Sequence, residues 1–158
     1  MAPGAHDHFG ASVAIAQLGQ GNVEDLAIGI PGATVAGQSG AGAVVVLYSR
    51  LLGTAGGLGN RDQRWTQASA GIAGSPIAGD HFGATLSARN LNGRGPTDLI
   101  IGVPNENVGG QEDAGWIHVL YGTNNGGLGS TNAQAWSQDS TGITDSAEIR
   151  DHFGGALP

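Results

Sequence analysis

One four-residue motif occurs three times, and this repetition constrains the fold more than any other feature of the sequence. Asp-His-Phe-Gly stands at Asp7–Gly10, Asp80–Gly83 and Asp151–Gly154, at intervals of 73 and then 71 residues, and it contains all three Phe residues. A fixed period is typical of repeat proteins, in which each unit packs against its neighbour. The sequence therefore predicts a first repeat at 1–79, a second at 80–150 and the truncated start of a third at 151–158.

Each repeat contains four segments of strand length, separated by Gly, Pro and Asn. No stretch has an apolar period near 3.6, which argues against helices. The predicted strands are Ala11–Ala16, Leu26–Ile30, Ala43–Tyr48 and Arg64–Ala68, then Ala84–Arg89, Leu99–Val103, Trp116–Tyr121 and Gln134–Gln138. Four antiparallel strands per unit predict an all-β chain of two β-propeller blades, with a solenoid of hairpins as the competing architecture.

Composition argues against several classes of function. The net charge is −7 and there is no Lys, so the chain offers no basic surface for nucleic acid or anionic lipid. It has no Cys for disulfide or thiol chemistry. No apolar run reaches the roughly 20 residues that span a membrane, so we expect no membrane insertion. The N-terminus lacks the features of a signal peptide, and the compartment stays open.

The ordered segments resemble the FG-GAP repeat of the N-terminal β-propeller of integrin α chains and of bacterial integrin-like repeat proteins. Phe9-Gly10 and Phe82-Gly83 match its "FG", while Gly29-Ile-Pro31 and Gly102-Val-Pro104 match its "GAP" with the middle Ala replaced. The resemblance covers nearly the whole chain. It implies four-stranded blades and a non-catalytic role in recognition or adhesion, in an extracellular or cell-surface setting.

The resemblance also implies a calcium loop between the first and second strands of each blade. In the second repeat, Asn90, Asn92 and Asp98 keep the ligand spacing, but Arg94 replaces a carboxylate. Calcium takes about six to eight oxygen ligands, several of them charged. We therefore expect metal-free loops and no cofactor, with weak calcium binding as the alternative. A sharper hypothesis is that the Arg94 guanidinium replaces the ion and bonds to Asp98, Asn90 or backbone carbonyls.

The repeated motif residues are expected to be structural. Each Asp is predicted to bond to backbone groups of a turn, and each Phe to pack between blades. The two Trp residues that recur at the fourth strand are expected to pack as well. The predicted structural residues are Asp7, Asp80, Asp151, Phe9, Phe82, Phe153, Trp65 and Trp136. A metal ring formed by His8, His81 and His152 is the alternative to a turn role for these histidines.

Trp116 is the candidate ligand-binding residue, because Ala43 stands at its place in the first repeat. An exposed Trp suits stacking on a sugar or a protein ligand, although packing is the simpler interpretation. A lectin-type propeller is therefore the alternative function, and a purely structural repeat fragment, natural or engineered, is the third. No nucleophile motif is present, and we expect no enzyme activity.

Two blades leave an apolar face bare at each end, since a propeller needs about four to eight blades to close. Head-to-tail packing of copies would cover both faces. We expect a ring of three copies, with four as the next choice, and a protein or glycan as a further partner. The tail 151–158 would compete with residues 7–14 of the next copy for one position, and we expect the N-terminal segment to prevail.

Overall fold

The computed structural model describes residues 6–19, 23–52, 55–124 and 126–158, and folds them into two antiparallel sheets without a helix. The first sheet consists of β1 (Ser12–Ala16), β2 (Asp25–Ile30), β3 (Ala43–Leu52) and β4 (Ala55–Trp65). The second consists of β5 (Thr85–Arg89), β6 (Asp98–Val103), β7 (Trp116–Thr123) and β8 (Gly127–Trp136). Neighbours in sequence are neighbours in each sheet. The all-β prediction is confirmed.

The prediction for the fourth strand was wrong in both repeats. Arg64–Ala68 and Gln134–Gln138 were expected, but β4 and β8 end at Trp65 and Trp136 and begin about ten residues earlier. The Gly-rich segments before these Trp residues were interpreted as loops, because Gly weakens a strand interior. In β8, Gly is needed for a close approach to the first sheet: a Cβ on Gly127 would lie 2.6 Å from the hydroxyl oxygen of Tyr48.

The two sheets pack face to face over one shared apolar core. The first sheet contributes alternate residues such as Ala14, Ala27 and Val46, which lie side by side across β1, β2 and β3. The second contributes residues such as Leu99 and Ile101 of β6. Small side chains on β1 let β5 lie directly against it. Burial of each large aliphatic side chain contributes about 1.5–3 kcal/mol to the stability of this core.

The repeated motif has the same backbone conformation each time. Its His residue is left-handed at His8, His81 and His152, with φ of 56°, 62° and 51°. The Gly that follows two residues later also has positive φ in all three copies. This shared geometry turns the chain sharply as it enters the next unit, and it supports the turn interpretation of the histidines.

The second and third motifs dock on the preceding sheet through matching hydrogen bonds. The N–H groups of His81 and Phe82 donate to the carbonyls of Gly40 and Ala41, and the Ser12 hydroxyl donates to the Gly83 carbonyl. The third motif repeats this on the second sheet through the bonds His152 N to Asp113 O, Phe153 N to Ala114 O and Thr85 Oγ1 to Gly154 O. The tail therefore occupies the place where a following repeat would begin.

The motif side chains follow the predictions in part. The carboxylates of Asp80 and Asp151 accept bonds from the N–H groups of Ile77 and Glu148, as expected for turn residues. Phe82 is fully buried between the sheets, with 0% exposure. The expectation that all three Phe residues pack between sheets was wrong for Phe9, which is 63% exposed, and no sheet precedes the first one among the described residues.

The remaining structural residues lie in less uniform surroundings. Phe153 is half-buried, and Asp7 interacts with another group of the protein. Trp65 packs against the shared core, while Trp136 is half-buried on the far side of the second sheet and donates its Nε1–H to Gln134 Oε1 at 3.2 Å. Trp65 and Trp136 thus occupy equivalent positions, and the difference between them is the presence of a sheet in front of Trp65.

Candidate functional site

The candidate calcium loop of the second repeat uses its polar groups internally. Asp98 is fully buried, and its carboxylate accepts hydrogen bonds from Leu91 N at 2.7 Å and Gly122 N at 3.0 Å. The side chain of Asn92 donates to Asp98 and accepts from the N–H of Arg94 at 2.7 Å. The one carboxylate of this loop therefore already accepts hydrogen bonds from three groups of the protein. The residues therefore do not fit a calcium ion, which requires several free charged oxygens.

The equivalent carboxylate of the first repeat has the same role. Asp25 accepts from Leu18 N at 2.9 Å and Ser49 N at 2.8 Å, two residues that match the donors to Asp98 in position. In both sheets the buried carboxylate thus ties the loop between the first two strands to the end of the third. Within the described ranges, no three His, Asp or Glu side chains lie together as a metal-binding group.

The hypothesis that the Arg94 guanidinium replaces the ion was wrong. Arg94 is exposed, and the bonds that occupy Asp98 come from backbone N–H groups and Asn92. Asn90 instead donates from its amide to the Gly95 carbonyl at 3.4 Å. Arg94 lies at the rim of an open cavity of about 370 Å³ that Tyr121 and Gln134 also line.

Trp116 lies among packed side chains. It contacts the shared core and a smaller cluster around Val108 and Ala114, and its ring centroid is 5.6 Å from that of His118. Its Nε1 atom is buried without a hydrogen-bond partner among the described residues. This packing favours the structural interpretation of Trp116 over stacking on a ligand. His118 is also buried, and its loss of solvation lowers its pKa to about 4, so the ring is neutral.

A cluster that the sequence did not predict lies where the two sheets join. Glu106, after β6, and Asp80 are both buried, and each lies close enough to affect the pKa of the other; we call them the carboxyl pair. Gln67, after β4, donates from its amide nitrogen to Glu106 at 2.5 Å. A polar cleft of about 310 Å³ opens above Asp80, with Asn105 and Asp113 on its walls.

Burial sets the charge of this carboxyl pair. Desolvation raises the pKa of Asp80 to about 6 and that of Glu106 to about 7, and the hydrogen bond with Gln67 opposes the shift at Glu106. Both carboxyl groups therefore change charge close to neutral pH. Glycosidases hold their two carboxyl groups about 5 Å or more apart, with room for substrate between them. Both carboxyl side chains of this pair are instead buried, with exposed fractions of 3% for Asp80 and 5% for Glu106, which suits a structural role between the sheets.

The exposed apolar side chains lie mainly on the two outward faces of the sheet pair. On the first sheet they form what we call the leading face, which consists of Phe9, Val13, Ile15 and Leu58. Their counterparts in the second repeat are Phe82, Leu86, Ala88 and Leu128, all members of the shared core. On the second sheet, Leu91 and Ile143 are exposed, whereas their counterparts Leu18 and Ile72 are buried in that core. We call this second surface, with Tyr121 and Gln134, the trailing face.

A polar contact at the edge of the shared core links the sheets in register. The Tyr48 hydroxyl and Gln63 Oε1 accept from Leu128 N at 2.8 and 3.1 Å, and Gln63 Nε2 donates to Leu128 O at 3.1 Å. The hydroxyl of Tyr48 also bonds to Gln63. Burial raises the pKa of Tyr48 to about 12, so the hydroxyl keeps its proton. We call Tyr48 and Gln63 the filled clamp.

Sequence reasoning missed both the clamp and the carboxyl pair. The clamp could have been found from the repeat, because Tyr48 and Tyr121 align and the Gly-Gly-Leu-Gly segments at 56–59 and 126–129 match. The carboxyl pair carries no such signal, since Ala33 stands at the position of Glu106 in the first repeat.

Comparison with known proteins finds a partial relative. No protein-family model matches the sequence. The chain is 30% identical over 123 residues to phosphatidylinositol-glycan-specific phospholipase D of Rattus norvegicus, a match that covers 78% of this chain and 14% of the relative. The chain thus spans a small part of that protein's length, and the match does not transfer its activity. The described part of the chain holds no helix suited to crossing a membrane.

Proposed function

We propose that this chain is a non-catalytic recognition or assembly module, in which each sheet is a propeller blade and the blade pair packs head to tail with further copies. The supporting observation is the pattern of exposure. Leu91 on the trailing face is 52% exposed, whereas its counterpart Leu18, which faces a neighbouring sheet, is fully buried. The leading face, and the part of the trailing face that the tail 151–158 leaves exposed, correspond to the two halves of the interface that the chain already forms internally.

Apolar surface that stays exposed to water lowers the stability of a single chain, and this pattern of exposure leaves such surface on both outward faces. Val13 and Ile15 lie two residues apart on the same face of β1 and are 57% and 63% exposed. Exposed apolar side chains that cluster on one surface commonly mark an interaction site. Because the leading and trailing faces match the two sides of the buried interface, the partner that fits both is a second copy of the same repeat pair.

Repetition of one heterologous contact closes into a ring when its rotation allows it. A propeller ring with a broad loop face at either end would suit recognition of a protein or glycan, as the FG-GAP resemblance implies. We propose three copies and six blades as the closed form, with four copies as the next choice. The burial of the carboxyl pair and the hydrogen bonds that occupy Asp98 support a role without catalysis or metal.

Light scattering on a sizing column tests the proposal. The expected result is a folded species at three or four times the mass of one chain, in equilibrium with smaller forms on dilution. Ile15→Arg should shift that equilibrium toward single chains, because it places a charge on the leading face. Ile77→Arg is the matched control, since Ile77 is exposed at the polar cleft and lies on neither face. A folded single chain at every concentration would contradict the proposal.

A further inference from the structure

The second sheet carries a counterpart of the filled clamp on its outward side. Tyr121 follows Val119 and Leu120 in β7 as Tyr48 follows Val46 and Leu47 in β3. Gln134 pairs with Val119 as Gln63 pairs with Val46. Tyr121 and Gln134 are therefore the counterparts of Tyr48 and Gln63. Both line the open cavity of about 370 Å³ on the trailing face.

The two clamps differ in what Gln contacts. In the filled clamp, Gln63 bonds to both the N–H and the C=O of Leu128 in the second sheet. On the trailing face, Gln134 Oε1 accepts from Trp136 Nε1 of its own strand. The side-chain amide of Gln63 thus bonds to a strand of the neighbouring sheet, whereas that of Gln134 accepts a hydrogen bond from its own strand.

The segment that would fill the second clamp is present in the first sheet. Leu58 pairs with Ser49 and Gly57 with Arg50, as Leu128 pairs with Gly122 and Gly127 with Thr123. Leu58 is therefore the register counterpart of Leu128. Leu128 is 3% exposed and Leu58 is 51% exposed. A second copy that packs by its leading face would bring its own Leu58 to this cavity.

Gly57 gives an independent indication. A Cβ on its counterpart Gly127 would lie 2.6 Å from the Tyr48 hydroxyl oxygen and 2.9 Å from Gln63 Oε1, so the filled clamp requires glycine there. A Cβ on Gly57 would meet nothing within 4 Å among the described residues, and the φ of Gly57 lies outside the left-handed range. The surroundings of Gly57 in this chain therefore do not require glycine, whereas docking on a Tyr–Gln clamp would.

We propose that Tyr121 and Gln134 form a binding site for the Gly57–Leu58 backbone of a second copy of this chain. The Tyr121 hydroxyl and the Gln134 amide would accept from the Leu58 N–H and donate to its C=O, as the filled clamp does for Leu128. This site rests on the proposed head-to-tail assembly. In that assembly, the contact of Tyr121 and Gln134 with Leu58 would fix the register between copies.

Sedimentation equilibrium on the full chain tests the site with three variants. Tyr121→Phe combined with Gln134→Leu removes the polar atoms at nearly constant shape, and should weaken association by about tenfold or more, because the docked N–H and C=O then lack partners. Gly57→Ala should also weaken association, by about tenfold, while the urea midpoint of the single chain stays unchanged. Tyr48→Phe is the matched control, which should lower the urea midpoint and leave association within about twofold.

The outcomes separate the site from the assembly. Weakened association in the double variant and in Gly57→Ala, without a change in Tyr48→Phe, supports the site. Assembly of the double variant with the same affinity as the wild type overturns the site and leaves head-to-tail packing intact. A wild-type chain that stays single at all concentrations overturns both proposals, and circular dichroism of each variant confirms that the sheets still form.

Discussion

The first and second sheets have nearly the same strand register, yet equivalent residues in them have opposite surroundings. Phe9 is 63% exposed and Phe82 is fully buried, although both follow the same Asp-His pair and precede the same Gly. The difference comes from position in the chain: a sheet precedes Phe82 and none precedes Phe9 among the described residues. A residue in a repeat protein therefore gains its energetic role from the neighbouring unit as much as from its own unit.

The largest contrast is expected between the two Phe residues. Phe82→Ala should lower the free energy of unfolding by about 3–5 kcal/mol, because it leaves a cavity between the sheets. Phe9→Ala should change it by less than about 0.5 kcal/mol at protein concentrations where the chain is single. Urea denaturation followed by tryptophan fluorescence measures both. Equal costs for the two variants would contradict the difference in packing.

The carboxyl pair breaks the symmetry between the repeats, since Ala33 replaces Glu106 in the first one. Because burial raises the pKa of Glu106 to about 7, the folded state favours the protonated form. Its contribution to stability is complete below about pH 4 and is lost as pH rises through about 7. Glu106→Gln should therefore be more stable than wild type by about 2–3 kcal/mol near pH 8, and similar to it near pH 4.

His118 acts in the opposite direction over part of this range. Its pKa is lowered to about 4 by burial, so protonation of the unfolded chain removes stability as pH falls from about 6.5 toward 4. The comparison between wild type and Glu106→Gln cancels this contribution, since both proteins contain His118. A constant difference between the two proteins from about pH 4 to about pH 8 would show that Glu106 does not titrate as a buried group.

The tail offers a test of the trailing face. Residues 152–154 occupy on the second sheet the place that residues 81–83 occupy on the first. Removal of 151–158 should strengthen association by about tenfold, a change of about 1.4 kcal/mol, because a second copy then docks without displacing the tail. Sedimentation equilibrium on the shortened chain measures the change, and weaker association would show that the tail supports the contact instead.

The smallest effect is expected for calcium. In each repeat a buried carboxylate, Asp25 in one and Asp98 in the other, accepts hydrogen bonds from two backbone N–H groups. A tightly bound ion adds about 2.7 kcal/mol at a hundredfold excess over its dissociation constant. We expect less than about 0.5 kcal/mol, and therefore the same melting temperature in calcium and in EDTA. A clear rise in calcium would restore the ligand interpretation of Asn90, Asn92 and Asp98.

The sequence was sufficient for the repeats, the all-β class and the burial of Phe82, because each of these depends on local pattern and period. It was insufficient where a residue's role depends on contacts across the sheets. Gly127 was interpreted as part of a loop, because the sequence does not show that glycine is needed there for the close approach to Tyr48. Glu106 carries no repeat signal, and two of the donors to Asp98 are backbone groups, which a pattern of side chains does not reveal.

Complementary mixing tests head-to-tail packing most directly. Ile15→Arg disables the leading face and Leu91→Arg disables the trailing face, so each variant alone should stay a single folded chain. The intact trailing face of the first variant and the intact leading face of the second can still meet, and an equal mixture should form a dimer and nothing larger. Light scattering on the mixture gives the mass. A mixture that stays at the mass of one chain, or a single variant that assembles alone, would contradict packing of these two faces.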